Sequence, residues 1–147
     1  MRYNTFSVVS QGIDLKRIEV EVDGVTWGGW GSCTKLSDGS TAQIRFLAAT
    51  RYGLDEGTIY YPSIEVYRKR KNSNLYSGQI TGKVGLEAAG FFLQTLTLFE
   101  ANVPRGGDSI VAQGYDGRRF RAYHKVLAKR GYHATVDEGI PSIVKKF

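Results

Sequence analysis

A period-two alternation of apolar and charged residues near the N-terminus most constrains what this chain can fold into. Arg17 to Val22 alternates in this way, which is typical of a strand with one buried face. Asp23-Gly24 is a turn pair, and Val25 to Trp27 resumes the pattern. The sequence therefore predicts a β-hairpin over Ile18 to Trp27 and favours antiparallel pairing.

Further strand patterns follow as far as residue 67. Thr41 to Ala48 places Ala42, Ile44 and Phe46 on one face of a predicted strand. Two more apolar stretches flank Pro62, which has no N–H and so predicts an edge position or a bulge. Residues 1–63 are thus expected to form a strand-rich part of one domain that covers residues 1–147.

The second half of the chain predicts two helices among shorter strands. Leu86 to Asn102 is apolar on almost every side, which predicts a largely buried helix ending before Pro104. A basic helix is expected from about Gly117 to Arg130, with Gly131 as its stop signal. Strands are expected at residues 109–113, 132–136 and 142–144.

Composition excludes several classes of protein. The single cysteine, Cys33, permits neither an internal disulfide nor a multi-cysteine zinc site, and it favours a reducing cytoplasm. His124 and His133 lie nine residues apart and do not form an i, i+4 metal pair, so no metal site is expected. No apolar stretch has the length of a signal-peptide core or a membrane span, which predicts a cytoplasmic protein without a membrane partner.

The net charge of +6 is unevenly distributed. Residues 1–67 carry six basic and eight acidic residues, whereas residues 68–147 carry fourteen and six. The positive half indicates a polyanionic partner, which could be nucleic acid, an acidic protein surface or a phosphate-rich cofactor. A solvated basic face that aids solubility accounts for the same composition.

Two motifs resemble those of the GNAT superfamily of N-acetyltransferases. Gln79 to Gly85, QITGKVG, is similar to the family's Gln/Arg-x-x-Gly-x-Gly/Ala motif, with Val84 at the final small position and Gly85 one place later. Arg119 to Tyr132, RFRAYHKVLAKRGY, is similar to the helix that closes the family's domain. The resemblance covers residues 64–147 and implies a single α+β GNAT-like domain. Its expected parts are a mixed, mostly antiparallel central sheet, a buried helix and a basic C-terminal helix.

The resemblance also implies acetyl-CoA as cofactor. Backbone N–H groups at a helix N-terminus bind a pyrophosphate because they lack intrahelical partners and lie at the positive end of the helix dipole. The implied cofactor-binding residues are the end of the strand that leads into the loop and the loop itself: Val66, Gln79, Thr81, Gly82, Lys83, Val84 and Gly85. The alternative interpretation is that this glycine-rich segment before a helix is a loop with no role in binding.

The family's usual catalytic acid is a tyrosine four residues before the terminal glycine, where this chain has Leu127. Tyr123 and Tyr115 are the substitutes for protonating the CoA thiolate, and each could equally be a core aromatic. Glu65, and Glu19 or Glu21 on the early strand, are candidate bases for the acceptor amine, although alternating glutamates on a strand usually form its solvent face.

Two functions from different classes follow. The first is an acetyl-CoA-dependent N-acetyltransferase that acts on a primary amine of a protein or small molecule. The alternative is a non-catalytic module, GNAT-like or of another basic kind, that binds nucleic acid or a host protein. It would use the basic half with stacking aromatics, namely Trp27, Trp30, Tyr60, Tyr61 and Tyr67. Either could be a monomer or a homodimer, since Tyr60 and Tyr61 near a predicted edge strand could pair two chains.

Overall fold

The computed structural model describes residues 7–10, 12–50, 57–70, 73–76, 82–113, 121 and 124–147. Strands dominate this part of the chain. The elements in order are β1 (Ser7–Ser10), β2 (Ile13–Val22), β3 (Val25–Lys35), β4 (Thr41–Thr50), β5 (Thr58–Arg70), β6 (Ser73–Tyr76), α1 (Gly82–Asn102), β7 (Ser109–Gln113), a 3₁₀ helix (Ala128–Arg130), β8 (His133–Asp137) and β9 (Ile140–Lys146).

The strands hydrogen-bond in the order β1-β2-β3-β4-β5-β7-β9-β8, and β6 pairs with β5. The contacts divide the chain into two compact units. The first comprises Met1–Phe46 and Ser63–Val103, and the second comprises Leu47–Pro62 and Pro104–Phe147.

The first unit contains the predicted hairpin, which is confirmed. β2 and β3 pair antiparallel from Lys16↔Gly31 to Val22↔Val25. Asp23 and Gly24 both have positive φ, at 52° and 78°, as a two-residue type I′ turn requires. The Asp23-Gly24 pair therefore fixes the register of the two longest early strands.

Helix α1 packs on β4 in this unit. Ala42, Ile44 and Phe46 share one strand face, as predicted, and all are fully buried. The Phe46 and Phe99 rings stack with centroids 4.0 Å apart and planes within 6°. This aromatic stack joins the C-terminal part of α1 to β4.

The expectation of a buried helix is wrong, because α1 buries only one side. Ala88, Phe91, Leu96 and Phe99 are buried, whereas Leu86 is 77% exposed. A helix that lies on one face of a sheet buries only the stripe of its own side chains that contacts the strands. Apolar residues on the opposite side of the helix therefore face solvent.

The second unit contains the start of β5 and the C-terminal strands. β5 and β7 pair in parallel at Ile59↔Ser109 and Tyr60↔Ile110, and β7 and β8 each pair antiparallel with β9. Ile59, Val111 and Val144 form a buried cluster with Tyr61 packed against it. The predicted strands on either side of Asp137-Glu138-Gly139 are confirmed.

Pro62 does not mark an edge strand. β5 lies between β4 and β7 in the strand order, so Tyr60 and Tyr61 are half-buried residues of an interior strand. The parallel register with β7 ends at Tyr60, two residues before Pro62. Pro62 therefore lies beyond the β5–β7 pairs, where its lack of an N–H does not remove one of their hydrogen bonds.

The predicted fold class, a GNAT-like α+β domain with a buried helix and a basic C-terminal helix, is also wrong: the chain is mostly β. The first five strands follow one another through short connections, which favour antiparallel neighbours over strands that alternate with helices. Residues 117–120, 122 and 123 of the expected basic helix lie outside the described residues. Arg121 and residues 124–127 are helical, and the chain tightens into a 3₁₀ turn before Gly131, whose φ is 89°.

Candidate functional site

The N-terminus of α1 coincides with the predicted phosphate-binding residues. The helix begins at Gly82, four residues before the predicted start, so Gly82, Lys83, Val84 and Gly85 form its first turn instead of a loop. The first N–H groups of an α-helix have no partner within the helix, and this turn contains no acidic residue. Four consecutive backbone donors therefore lie at the positive end of a helix of 21 residues.

The β5–β6 hairpin leads the chain to this helix. β6 pairs antiparallel with the end of β5, from Arg70↔Ser73 back to Tyr67↔Tyr76. Tyr76 is thus six residues before Gly82. Gln79 and Thr81, both expected to bind the cofactor, lie in the intervening segment and outside the described residues.

Val66 and Glu65 point to opposite sides of β5. Val66 is only 4% exposed and contributes its side chain to the core, so only its backbone could contribute to a ligand site. Glu65 is half-buried on the other face. The alternation of a strand thus gives these two neighbouring candidates different environments.

Glu65 belongs to a polar cluster on β4 and β5. Its Oε2 lies 4.0 Å from Nη2 of Arg45, and both side chains are about seven-tenths buried, with 29% and 28% exposed. The same Nη2 donates a hydrogen bond of 3.0 Å to Oε1 of Gln43. Arg45 is held by Gln43 on its own strand, and the long ion pair leaves Glu65 with lone pairs that could accept a proton from a substrate.

The two candidate acids, Tyr115 and Tyr123, lie outside the described residues. Leu127, which occupies the position of the family's usual tyrosine, is 1% exposed, and its carbonyl accepts a hydrogen bond of 3.2 Å from the Tyr132 N–H. This position is therefore part of the apolar core of the second unit.

The aromatic residues proposed for base stacking do not form one surface. Trp27 and Trp30 are three residues apart on β3 and so face opposite sides of the sheet. The guanidinium of Arg17 lies 5.9 Å from the Trp30 ring centroid, as in a cation–π contact. Tyr60 and Tyr61 likewise alternate along β5.

Sequence reasoning missed the role of Asp108. Its Oδ1 accepts a hydrogen bond from the Thr58 N–H and its Oδ2 one from the Arg105 N–H, both at 2.9 Å. The carboxylate is 9% exposed, and it joins the start of β5 to the turn before β7. The only signal in the sequence was an Asp after Gly106-Gly107, which is ordinary turn composition.

Comparison with known proteins gives no relative: no family model, curated protein or solved structure matches this chain. Among the described helices, none is long and apolar enough to span a membrane. The described residues also contain no group of three or more metal-ligating side chains.

Proposed function

We propose that this protein binds acetyl-CoA and transfers its acetyl group to a primary amine of a protein or small molecule. The observation that carries the proposal is the first turn of α1, where the backbone N–H groups of Gly82 to Gly85 have no partner within the helix and no acidic side chain is present. The pyrophosphate of coenzyme A is an anion whose oxygens can accept hydrogen bonds from these N–H groups.

The position of this turn in the chain adds support. The turn follows β5 and the β5–β6 hairpin in the chain. The carboxyl end of β5 is basic, with Arg68, Lys69 and Arg70, and these charges favour a polyphosphate.

In the proposed reaction, the acceptor amine loses a proton and attacks the thioester carbonyl. The C–S bond then breaks, the acetyl group remains on nitrogen, and CoA leaves as a thiolate. Glu65 takes the amine proton directly or through water, and Tyr123 or Tyr115 protonates the thiolate. Monomer and homodimer are both compatible with this chemistry, which uses cytoplasmic acetyl-CoA.

Isothermal titration with acetyl-CoA tests the proposal. In Lys83→Glu an acidic residue enters the first turn, where it repels phosphate but suits the helix dipole, so the helix itself is not weakened. We expect the affinity for acetyl-CoA to fall by about tenfold or more, since a charge-assisted contact is lost and a repulsion gained.

Lys35→Glu is the matched control, because it makes the same charge change at the exposed end of β3. It should leave the affinity unchanged. No heat from acetyl-CoA with the unmodified chain, together with salt-dependent binding of nucleic acid, would overturn the proposal in favour of the basic binding module.

A further inference from the structure

Strand β8 ends the strand order in the part of the chain that the structure describes. His133, Ala134, Thr135 and Val136 are all exposed, and Val136 is 66% exposed. Side chains on both faces of β8 are therefore accessible. An exposed edge strand that carries a β-branched residue is a site where another strand can pair.

The β8–β9 hairpin determines which backbone groups face outward. Glu138 and Gly139 have positive φ, at 49° and 80°, and form a two-residue turn, so Asp137 and Ile140 are a hydrogen-bonded pair. The next pair, Val136↔Pro141, is then non-hydrogen-bonded, in agreement with the missing N–H of Pro141. Hydrogen-bonded and non-hydrogen-bonded pairs alternate along the two strands. The N–H and C=O groups of Ala134 and Val136 therefore point away from β9.

The sequence of β8 is complementary to itself when antiparallel. A two-fold axis at Thr135 places His133 opposite Asp137 of a second copy, Ala134 opposite Val136, and Thr135 opposite Thr135. The His133–Asp137 pair joins a hydrogen-bond donor to an acceptor, and the Ala134–Val136 pair joins a small to a larger apolar side chain. In this register the outward groups of Ala134 and Val136 form hydrogen-bonded pairs, and Thr135 occupies a non-hydrogen-bonded pair.

We propose that β8 pairs with β8 of a second copy of this chain and makes a homodimer with a sheet continuous across the two-fold axis. The Asp137 carboxylate accepts a hydrogen bond of 3.2 Å from Nε2 of Gln113, which fixes it on the strand that would face the partner's His133. This interface is independent of acetyl-CoA binding.

Cross-linking tests the register directly. Cα atoms in a non-hydrogen-bonded antiparallel pair are about 4.5 Å apart, within the range a disulfide spans, whereas residues displaced by two positions are about 7–8 Å apart. In a Cys33→Ser background, which removes the exposed native thiol, oxidised Thr135→Cys should give a covalent dimer on a non-reducing gel. Ala134→Cys in the same background should remain monomeric there.

Sedimentation velocity supplies the second measurement. Thr135→Lys places two like charges across the axis and should weaken the dimer by about tenfold or more, whereas Thr135→Val should leave it intact. A monomer at all concentrations of the unmodified chain, equal cross-linking of Thr135→Cys and Ala134→Cys, or an unweakened Thr135→Lys dimer would each overturn the proposal.

Discussion

At the residue scale, the close approach of Gly107 and Asp108 to the backbone of Gly57 requires a glycine at position 57. Gly57 has φ of 74°, and a Cβ there would lie 2.5 Å from the Gly107 carbonyl oxygen and 2.7 Å from Oδ1 of Asp108. Both neighbours are fixed, because Asp108 accepts hydrogen bonds from two backbone N–H groups. Only glycine satisfies the space and the dihedral angle together.

Gly57→Ala should therefore lower the free energy of unfolding by about 2–4 kcal/mol, since strain at positive φ adds to displacement of a buried carboxylate. Gly139→Ala is the control, with φ of 80° and nothing within 4 Å of the added Cβ. It should cost only about 1 kcal/mol, the conformational penalty alone. Urea denaturation measures both, and equal losses would show that the close approach has no energetic role.

At the element scale, the interaction of α1 with β4 depends on Phe46 and Phe99. Both side chains are fully buried, and their rings stack with centroids 4.0 Å apart. Glu87 in the second turn of α1 also accepts hydrogen bonds from the Ser37 N–H and hydroxyl. The helix is thus fixed near both ends.

A double-mutant cycle with Phe46→Leu and Phe99→Leu should give a coupling energy of about 0.5–1.5 kcal/mol, because stacked rings contribute beyond the area they bury. Phe46→Leu combined with Leu86→Ala should be additive within about 0.5 kcal/mol, since Leu86 is an exposed residue far along α1 from Phe99. Chemical denaturation of the unmodified chain and the five variants checks this. Additivity of the first pair would contradict a specific ring contact.

Hairpins were the most predictable elements, because Asp23-Gly24 and Glu138-Gly139 each carry their turn geometry locally. The start of α1 was predicted four residues late, since Gly82 and Gly85 have low helix propensity and read as loop residues. Burial of Phe91, Leu96 and Phe99 offsets that cost, and this packing is invisible in the local sequence. Of the candidate site, the strand position of Glu65 was predictable, whereas its ion pair with Arg45 on a neighbouring strand was not.

At the scale of the whole molecule, the positive charge of the C-terminal half favours an anionic ligand. Arg121, Lys125 and Lys129 are exposed, as is Lys146 at the end of β9. Lys145, in contrast, lies 5.6 Å from the Tyr132 ring centroid and 5.4 Å from that of Phe147, in cation–π geometry. Part of the basic charge is therefore used within the fold, whereas the four exposed residues named above lie at the surface.

Acetyl-CoA at 100 times its dissociation constant should stabilise the folded chain by about 2.7 kcal/mol and raise the thermal midpoint by about 5–10 °C. Inorganic pyrophosphate at the same concentration should raise the midpoint less, because it lacks the rest of the cofactor. Differential scanning calorimetry compares the two ligands. A shift with pyrophosphate as large as that with acetyl-CoA would indicate a general anion site.

The sequence by itself determined the hairpins, the shared face of Ala42, Ile44 and Phe46, and the existence of the long helix, because turn chemistry and hydrophobic period act over a few residues. Tertiary structure alone decided that β5 is interior, that α1 buries one side, and that the chain is mostly β. These depend on which strands pair and on what the helix lies against. Such contacts join residues far apart in sequence, and their energy outweighs local propensity.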